Sequence, residues 1–272
     1  MTNDALSVLS NALSGDGPLD TATSRSILQA VGRGEMGETF EIGTSSRVVA
    51  FGKHDTTSAS FGEAVQVAVD HGFQPTIRIA GGRAAVFHET TLRFGWTRAV
   101  DDPATTMHDG FRQISTMVID TLATFGIHGV VGEIPGEYCP GSYSVHIAGR
   151  KVMGVGQRLI RNAAHVGGVV VMANSEAIND VLVPIYSLLD LDLDPSVTGS
   201  VADALPIAVE DFADAFVAKV ARERPTMEIA LSDTVREDAI RFRPDHDPRP
   251  SSLASGSAET CTPNRYDQDS RS

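Results

Sequence analysis

Between Glu133 and Arg161 the chain reads EIPGEYCPGSYSVHIAGRKVMGVGQRLIR, and no other stretch limits its fold so tightly. Tyr143, Val145 and Ile147 alternate with polar neighbours before Ala148-Gly149, and a second alternating run, Val152 to Leu159, follows. A period of two on both flanks of a glycine turn is the pattern of a β-hairpin. Pro140-Gly141 marks another turn just ahead, so Cys139 falls on a loop feeding the hairpin and Lys151 lies just past its turn. A thiol is a useful nucleophile only as a thiolate, and a cation in a partly desolvated site lowers its pKa toward neutrality. Lys151 or Arg150 can supply that charge. From Tyr138 to Ser175 there is no Asp or Glu, while Arg150, Lys151, Arg158 and Arg161 all fall inside, in a chain of formal net charge −13. Spacing alone leaves two readings: a nucleophile with its cationic partner, or an inert buried cysteine beside a solvated hairpin tip.

The surrounding pattern is of alternating helices and strands. Helix punctuation occurs at Asp4 to Leu13 and again from Asp20, as N-cap, through Ile27, Leu28 and Val31 to Gly32. A short buried strand is expected over Arg47 to Phe51, then a helix over Phe61 to His71 that Gly72 stops. Gly81-Gly82 sits between two extended runs in Arg78 to His88, and a further strand covers Thr91 to Trp96. Paired glycines let backbone approach a ligand closely, although hairpin turns use them as often. Phe111, Ile114, Met117, Val118, Thr121, Leu122 and Phe125 recur at helical spacing. A short strand at Gly129 to Val131, a valine-rich strand at Ala163 to Ala173 and a helix at Glu176 to Leu189 come next. Two last helices are expected at Pro206 to Val220 and Met227 to Arg243. From Pro244 the composition shifts to Pro, Ser, Asp and Thr, so residues 244–272, with Cys261, are expected to be a disordered tail. The expected division is an extension at 1–16, one catalytic domain at 17–243, and the tail.

Two stretches resemble a known family. YCPGSYSVHIAGRKVMGVGQR is similar to a signature of the lipoate-protein ligase and octanoyltransferase superfamily, the biotin/lipoate A/B protein ligases, and most similar to its cysteine-dependent octanoyl/lipoyl transferase and amidotransferase branches. RIAGGRAAVFH, followed by the strand at Thr91 to Trp96, resembles the second signature. The resemblance implies an α/β (α+β) fold of mixed or antiparallel sheets covered by helices, the biotin/lipoate transferase-ligase fold. It implies that Cys139 carries the acyl group and that Lys151 contacts the acyl carbonyl. It also implies that Arg78, Gly81, Gly82, Arg83, His88, Gly154, Gln157 and His165 line the acyl site, with Lys53 at a basic position of the FG motif. ATP-dependent ligases of the family carry three consecutive glycines where this chain has Gly81-Gly82-Arg83. An arginine there leaves less room for an acyl-adenylate, although an arginine can also clamp a phosphate.

The activity expected from the resemblance is transfer of an octanoyl or lipoyl group through a cysteine thioester onto a protein lysine, with no cofactor. The donor would be acyl carrier protein or an octanoyl/lipoyl-H protein, and the acceptor a lipoyl domain of a 2-oxoacid dehydrogenase or the glycine-cleavage H protein. The alternatives are an ATP- and Mg-dependent lipoate or biotin ligase, and a non-catalytic acyl-binding relative. Burying six or seven methylenes at about 0.8 kcal/mol each would give roughly 5 kcal/mol of binding. The net charge of −13 speaks against nucleic-acid binding. No apolar run approaches the ~18 residues of a membrane helix, and two distant cysteines with no basic leader fit a cytoplasmic protein. No CxxC or HxxxH spacing points to a metal.

Overall fold

In the computed structural model, residues 5–10, 13–102 and 107–249 are described. Strands are β1 (Leu6–Ser10), β2 (Thr39–Thr44), β3 (Val48–Phe51), β4 (Gln74–Ile77), β5 (Ala85–Phe87), β6 (Thr91–Ala99), β7 (Val130–Val131), β8 (Val145–Ile147), β9 (Arg150–Ile160), β10 (Ala163–Val171) and β11 (Thr226–Glu228). Helices are α1 (Gly17–Gly32), α2 (Phe61–Asp70), α3 (Met107–Thr124), α4 (Ser175–Leu188), α5 (Val209–Ala221) and α6 (Asp233–Phe242).

Eight strands form one sheet in the order β11-β1-β2-β6-β10-β9-β8-β7, and β4-β3-β5 form a second. The hairpin read from sequence is β8–β9, turning through Ala148 and Gly149, both at positive φ. From β2 through β6, β10, β9 and β8 to β7 every pairing is antiparallel, whereas β1 runs parallel to both β2 and β11. The mixed sheet covered by helices is the expected α/β class. One sheet face turns Phe40, Phe94, Trp96, Val166 and Val170 toward Ile114, Val118, Phe212 and Phe216 of α3 and α5, forming the largest core cluster. On the other face α1 lies across β6 and β10 and reaches β4 of the small sheet, which α2 and α4 back.

The expected helix over Asp4 to Leu13 is instead β1, and the expected helix from Met227 is split into β11 and α6. The reason is common to both. LSVLS and TME pair with each other in parallel register, Leu6 opposite Thr226, and burial of Leu6 and Val8 in the main core outweighs local helix propensity. Within the extension expected at 1–16, Leu6–Ser10 therefore belongs to the sheet. Helix α1 also starts earlier than expected. Asp16 caps it, accepting from the Leu19 N–H at 3.1 Å, while Asp20 is buried inside its first turns. At the other end a 3-10 turn, Arg243–His246, follows α6, with His246 buried and hydrogen-bonded to Ile77 O at 2.6 Å. Order thus continues past the boundary expected at 243; residues 250–272, with Cys261, lie outside the described residues.

Candidate active site

The loop between β7 and β8 holds Cys139 in a conformation that L-residues seldom take, φ +42°. Three neighbours fix it there. Its N–H donates to the Tyr186 hydroxyl on α4 at 2.6 Å, and that hydroxyl donates onward to Ala84 O at 2.9 Å. Lys151 Nζ donates to the carbonyls of Tyr138 (2.8 Å) and Cys139 (2.9 Å). The ammonium also pairs with Glu137 at 3.2 Å, both side chains being fully buried. Glu137 ties the loop to itself, accepting from Gly141 N (2.9 Å) and Ser144 Oγ (2.7 Å).

The donors aimed at the sulfur come from the double-glycine loop. Arg78 Nη2 donates to Cys139 Sγ at 3.0 Å and the Arg83 N–H at 3.4 Å. Gly82, at φ +112°, is needed there because a Cβ would sit 2.8 Å from the sulfur and collide with the Arg78 guanidinium. Burial pushes the Cys139 thiol up, but the Arg78 and Lys151 charges and the two hydrogen bonds outweigh it and hold the pKa below the ordinary thiol value. Burial lowers the Lys151 pKa, opposed by Cys139 and Glu137. A partly buried sulfur with depressed pKa, flanked by two backbone-anchored donors, is equipped for nucleophilic attack on a carbonyl.

From Cys139 a cavity runs along the sheet face under α1, lined by Arg78, Ala80, Gly154, Gly156, Gly167 and Val169 and reaching Asp20, Ser24, Arg93 and His165. Not every expected site residue meets it. Gly154 and His165 line it, but Gln157 lies on the opposite face of β9, its Oε1 lying 3.4 Å from a Cβ placed on Gly110 of α3. Strand alternation dictates this, since Gly154 and Gly156 already face the cavity. His88 is fully buried in the turn between β5 and β6, with Nδ1 against Thr90, and does not line the cavity. Gly81 is not among the residues that line it, although its carbonyl stands 3.2 Å from a Cβ placed on Gly156. The Arg83 side chain turns away to Asp55 at 3.2 Å, so its backbone rather than its guanidinium faces the sulfur.

The positive stretch is also reapportioned. Lys151 is internal, and Arg150 is held by Thr198 O at 2.8 Å and Asp203 at 2.8 Å; Arg158 and Arg161 are exposed, as is Lys53. Glu137 and Tyr186 at Cys139, and Asp20, Ser24 and Arg93 along the cavity, are residues the sequence reading did not assign to the site. For Arg93 a signal existed: Arg93, Gly95 and Thr97 form the polar face of a strand whose other face is Leu92, Phe94 and Trp96. Among the described residues no group of three or more His, Cys, Asp or Glu is placed to hold a metal ion, and no helix is long and apolar enough to cross a membrane.

Comparison with known proteins gives the chain a family and a fold. Residues 17–221 match the family model of the lipoyl protein ligase A/B catalytic domain. The chain is 29% identical over 150 residues to the octanoyl-GcvH:protein N-octanoyltransferase of Geobacillus kaustophilus, covering 55% of this chain and 51% of that protein. It is 32% identical over 123 residues to the protein of the same name from Exiguobacterium sibiricum, covering 45% and 43%. It thus spans about half the length of the curated relatives it matches. A lipoate-protein ligase A bound with ATP superposes with a TM-score of 0.72 at 16% identity, over 88% of this chain and 94% of that one. The bipartite lipoate protein ligase of Thermoplasma acidophilum gives 0.66 at 15%, over 88% and 91%. These two share the fold.

Proposed function

The chain belongs to the lipoyl protein ligase A/B catalytic domain family, and from that premise we propose that it is a protein N-octanoyltransferase working through a thioester on Cys139. One observation carries the reading: Cys139 Sγ accepts hydrogen bonds from Arg78 and the Arg83 amide at the mouth of a cavity floored by glycines. The curated relatives are named for octanoyl-GcvH, a protein acceptor and an N-octanoyl product, and the same reagents are proposed here, with lipoyl domains or the H protein as acceptors.

In the first step the Cys139 thiolate attacks the carbonyl of the donor's octanoyl group. The new C–S bond forms as the bond to the donor atom breaks, and the departing donor takes a proton from solvent. In the second, a deprotonated acceptor lysine attacks the Cys139 thioester. The C–N bond forms, the C–S bond breaks, the nitrogen loses its second proton to solvent and the thiolate is restored. Arg78 and the Arg83 N–H, having stabilised the thiolate, stand beside the carbonyl oxygen as it gains negative charge. One such donor is commonly worth about 3 kcal/mol in a transition state.

The role proposed for Lys151 shifts accordingly. Its ammonium is spent on Glu137 and two loop carbonyls, so it positions the Cys139 peptide and lowers the thiol pKa. It orients an acyl carbonyl only by giving up one of these partners. No nucleotide enters either step, and a reducing compartment such as the cytoplasm keeps the thiol available. The test is intact mass spectrometry after incubation with octanoyl carrier protein or octanoyl-GcvH, without ATP. A hydroxylamine-sensitive adduct on the wild type and none on Cys139→Ser is expected. No adduct, or one that requires ATP, rejects the proposal.

A further inference from the structure

The cavity that leads away from Cys139 meets a charged side chain on its far side. Gly154 stands at the sulfur end. A Cβ placed there would lie 3.7 Å from Lys151 Nζ, which is itself bonded to Cys139 O, and apart from its chain neighbours would meet nothing but the Lys151 side chain within 4 Å. The way in is therefore open. Beyond it the walls are small or apolar, with Val169 on β10 and the cross-strand pair Ala50 and Ala85 on the small sheet. Arg93 on β6 interrupts that surface. Its Nη2 donates to Ser24 Oγ at 2.6 Å and to Asp20 O at 3.4 Å, both on α1, so the guanidinium bridges the main sheet and the helix that covers the cavity.

The register of the sheet sets the distance to that bridge. Gly154 pairs with Val169 and Val169 with Arg93, so the three form one row across β9, β10 and β6 and turn to the same face. Neighbouring strands are about 4.8 Å apart, which puts Arg93 roughly 10 Å from Gly154. Seven C–C bonds of ~1.5 Å at near-tetrahedral angles span about 9 Å. An octanoyl group on Cys139, laid along this row, therefore ends with its methyl at the level of Arg93. The guanidinium does not yield easily to a longer chain. It lies 3.6 Å from Glu41 Oε1, and that carboxylate is 5% exposed and accepts from Ser24 Oγ at 2.8 Å. Pushing Arg93 aside would take the counter-charge from a buried carboxylate and break the Ser24 bond, so carbons past the eighth meet fixed polar groups instead of apolar surface.

We infer that Arg93, held by Ser24 and backed by Glu41, sets the upper length of the acyl group, admitting eight carbons and rejecting ten or more. The inference rests on the acyl-transfer reading and adds to it the side chain that makes eight carbons the limit.

The experiment measures the second-order rate constant for Cys139 acylation by octanoyl, decanoyl and dodecanoyl groups, each presented on carrier protein and on GcvH, with intact mass as the readout. On the wild type decanoyl should react at least about tenfold more slowly than octanoyl, and dodecanoyl more slowly still, since even one misfitting methylene changes pocket discrimination by about tenfold or more. Arg93→Met should bring the decanoyl rate to within about threefold of the octanoyl rate. That variant also strips Glu41 of its cation, so Arg93→Met combined with Glu41→Gln takes its place if the single variant fails to fold. Equal wild-type rates for octanoyl and decanoyl, or a decanoyl-to-octanoyl ratio that neither variant raises, overturn this inference and leave the transferase reading intact. Labelling of Cys139 by none of the three removes that reading and this inference with it.

Discussion

The two ends of one cavity are finished differently. Around Cys139 the groups that hold the loop are partnered: the cysteine N–H, its carbonyl, the Lys151 ammonium and the first Glu137 oxygen all have partners within 3.2 Å, although Arg78 Nε and the Tyr138 hydroxyl are buried without one. Around Arg93 two buried carboxylate oxygens have none. Saturation fixes a geometry, and here it holds a residue in a left-handed backbone state that costs on the order of 1 kcal/mol or more when nothing enforces it. The Cys139 loop is thus held in place by the protein itself, whereas the Arg93 end keeps carboxylate oxygens buried without partners.

Lys151→Met attacks the saturated end hardest. It removes the counter-charge of a fully buried carboxylate, so a loss of about 3–5 kcal/mol in denaturant unfolding is expected. Single-turnover acyl transfer should fall by about a hundredfold or more and stay low from about pH 6.5 to about pH 9.5, because extra thiolate does not restore the loop. Adding Glu137→Gln should recover much of the stability and little of the rate. Full recovery of the rate at alkaline pH in the single mutant would reduce Lys151 to a pKa modulator.

Tyr186→Phe is gentler. It strands the Cys139 N–H and leaves Ala84 O without its donor, for a cost of about 1–2 kcal/mol. With the loop less firmly held in the left-handed state, transfer should slow about tenfold with little change in KM. A KM effect with an unchanged kcat would place Tyr186 in binding instead.

His165→Gln probes the distal end and has the smallest effect at neutral pH. Burial holds the imidazole pKa at about 3, against about 6.5 in an unfolded chain. As pH falls below about 6.5 the unfolded state takes up a proton that the folded state refuses until about pH 3. The His165 contribution to stability is therefore lost across that window, at about 1.4 kcal/mol per pH unit for one proton. Burial raises the Asp20 and Glu41 carboxyls, and these act in the opposite sense, so the quantity to compare is mutant against wild type. The mutant's unfolding free energy should fall less steeply between about pH 6 and about pH 4; parallel curves would mean that His165 is already protonated in the fold.

Much of this protein was legible in one dimension. Period-two runs around a glycine turn announced β8–β9, helical spacing announced α2, α3 and α4, and a cysteine just ahead of a lysine-bearing hairpin marked the loop to watch, because each signal lies within a short stretch of chain. What stayed hidden depended on contacts far apart in sequence. β1 and β11 are strands only because they pair with each other across more than two hundred residues, and each alone satisfies a helix pattern. Gly154, Gly156 and Gly167 are unremarkable singly and form a cavity floor only when β9 and β10 align in register. Arg78 and Tyr186 reach Cys139 from 61 and 47 residues away. The sequence determined most of the elements and placed Cys139 just ahead of the β8–β9 hairpin; the sheet's register and the packing of α4 decided which groups face the sulfur, since side-chain direction follows from pairing and not from composition.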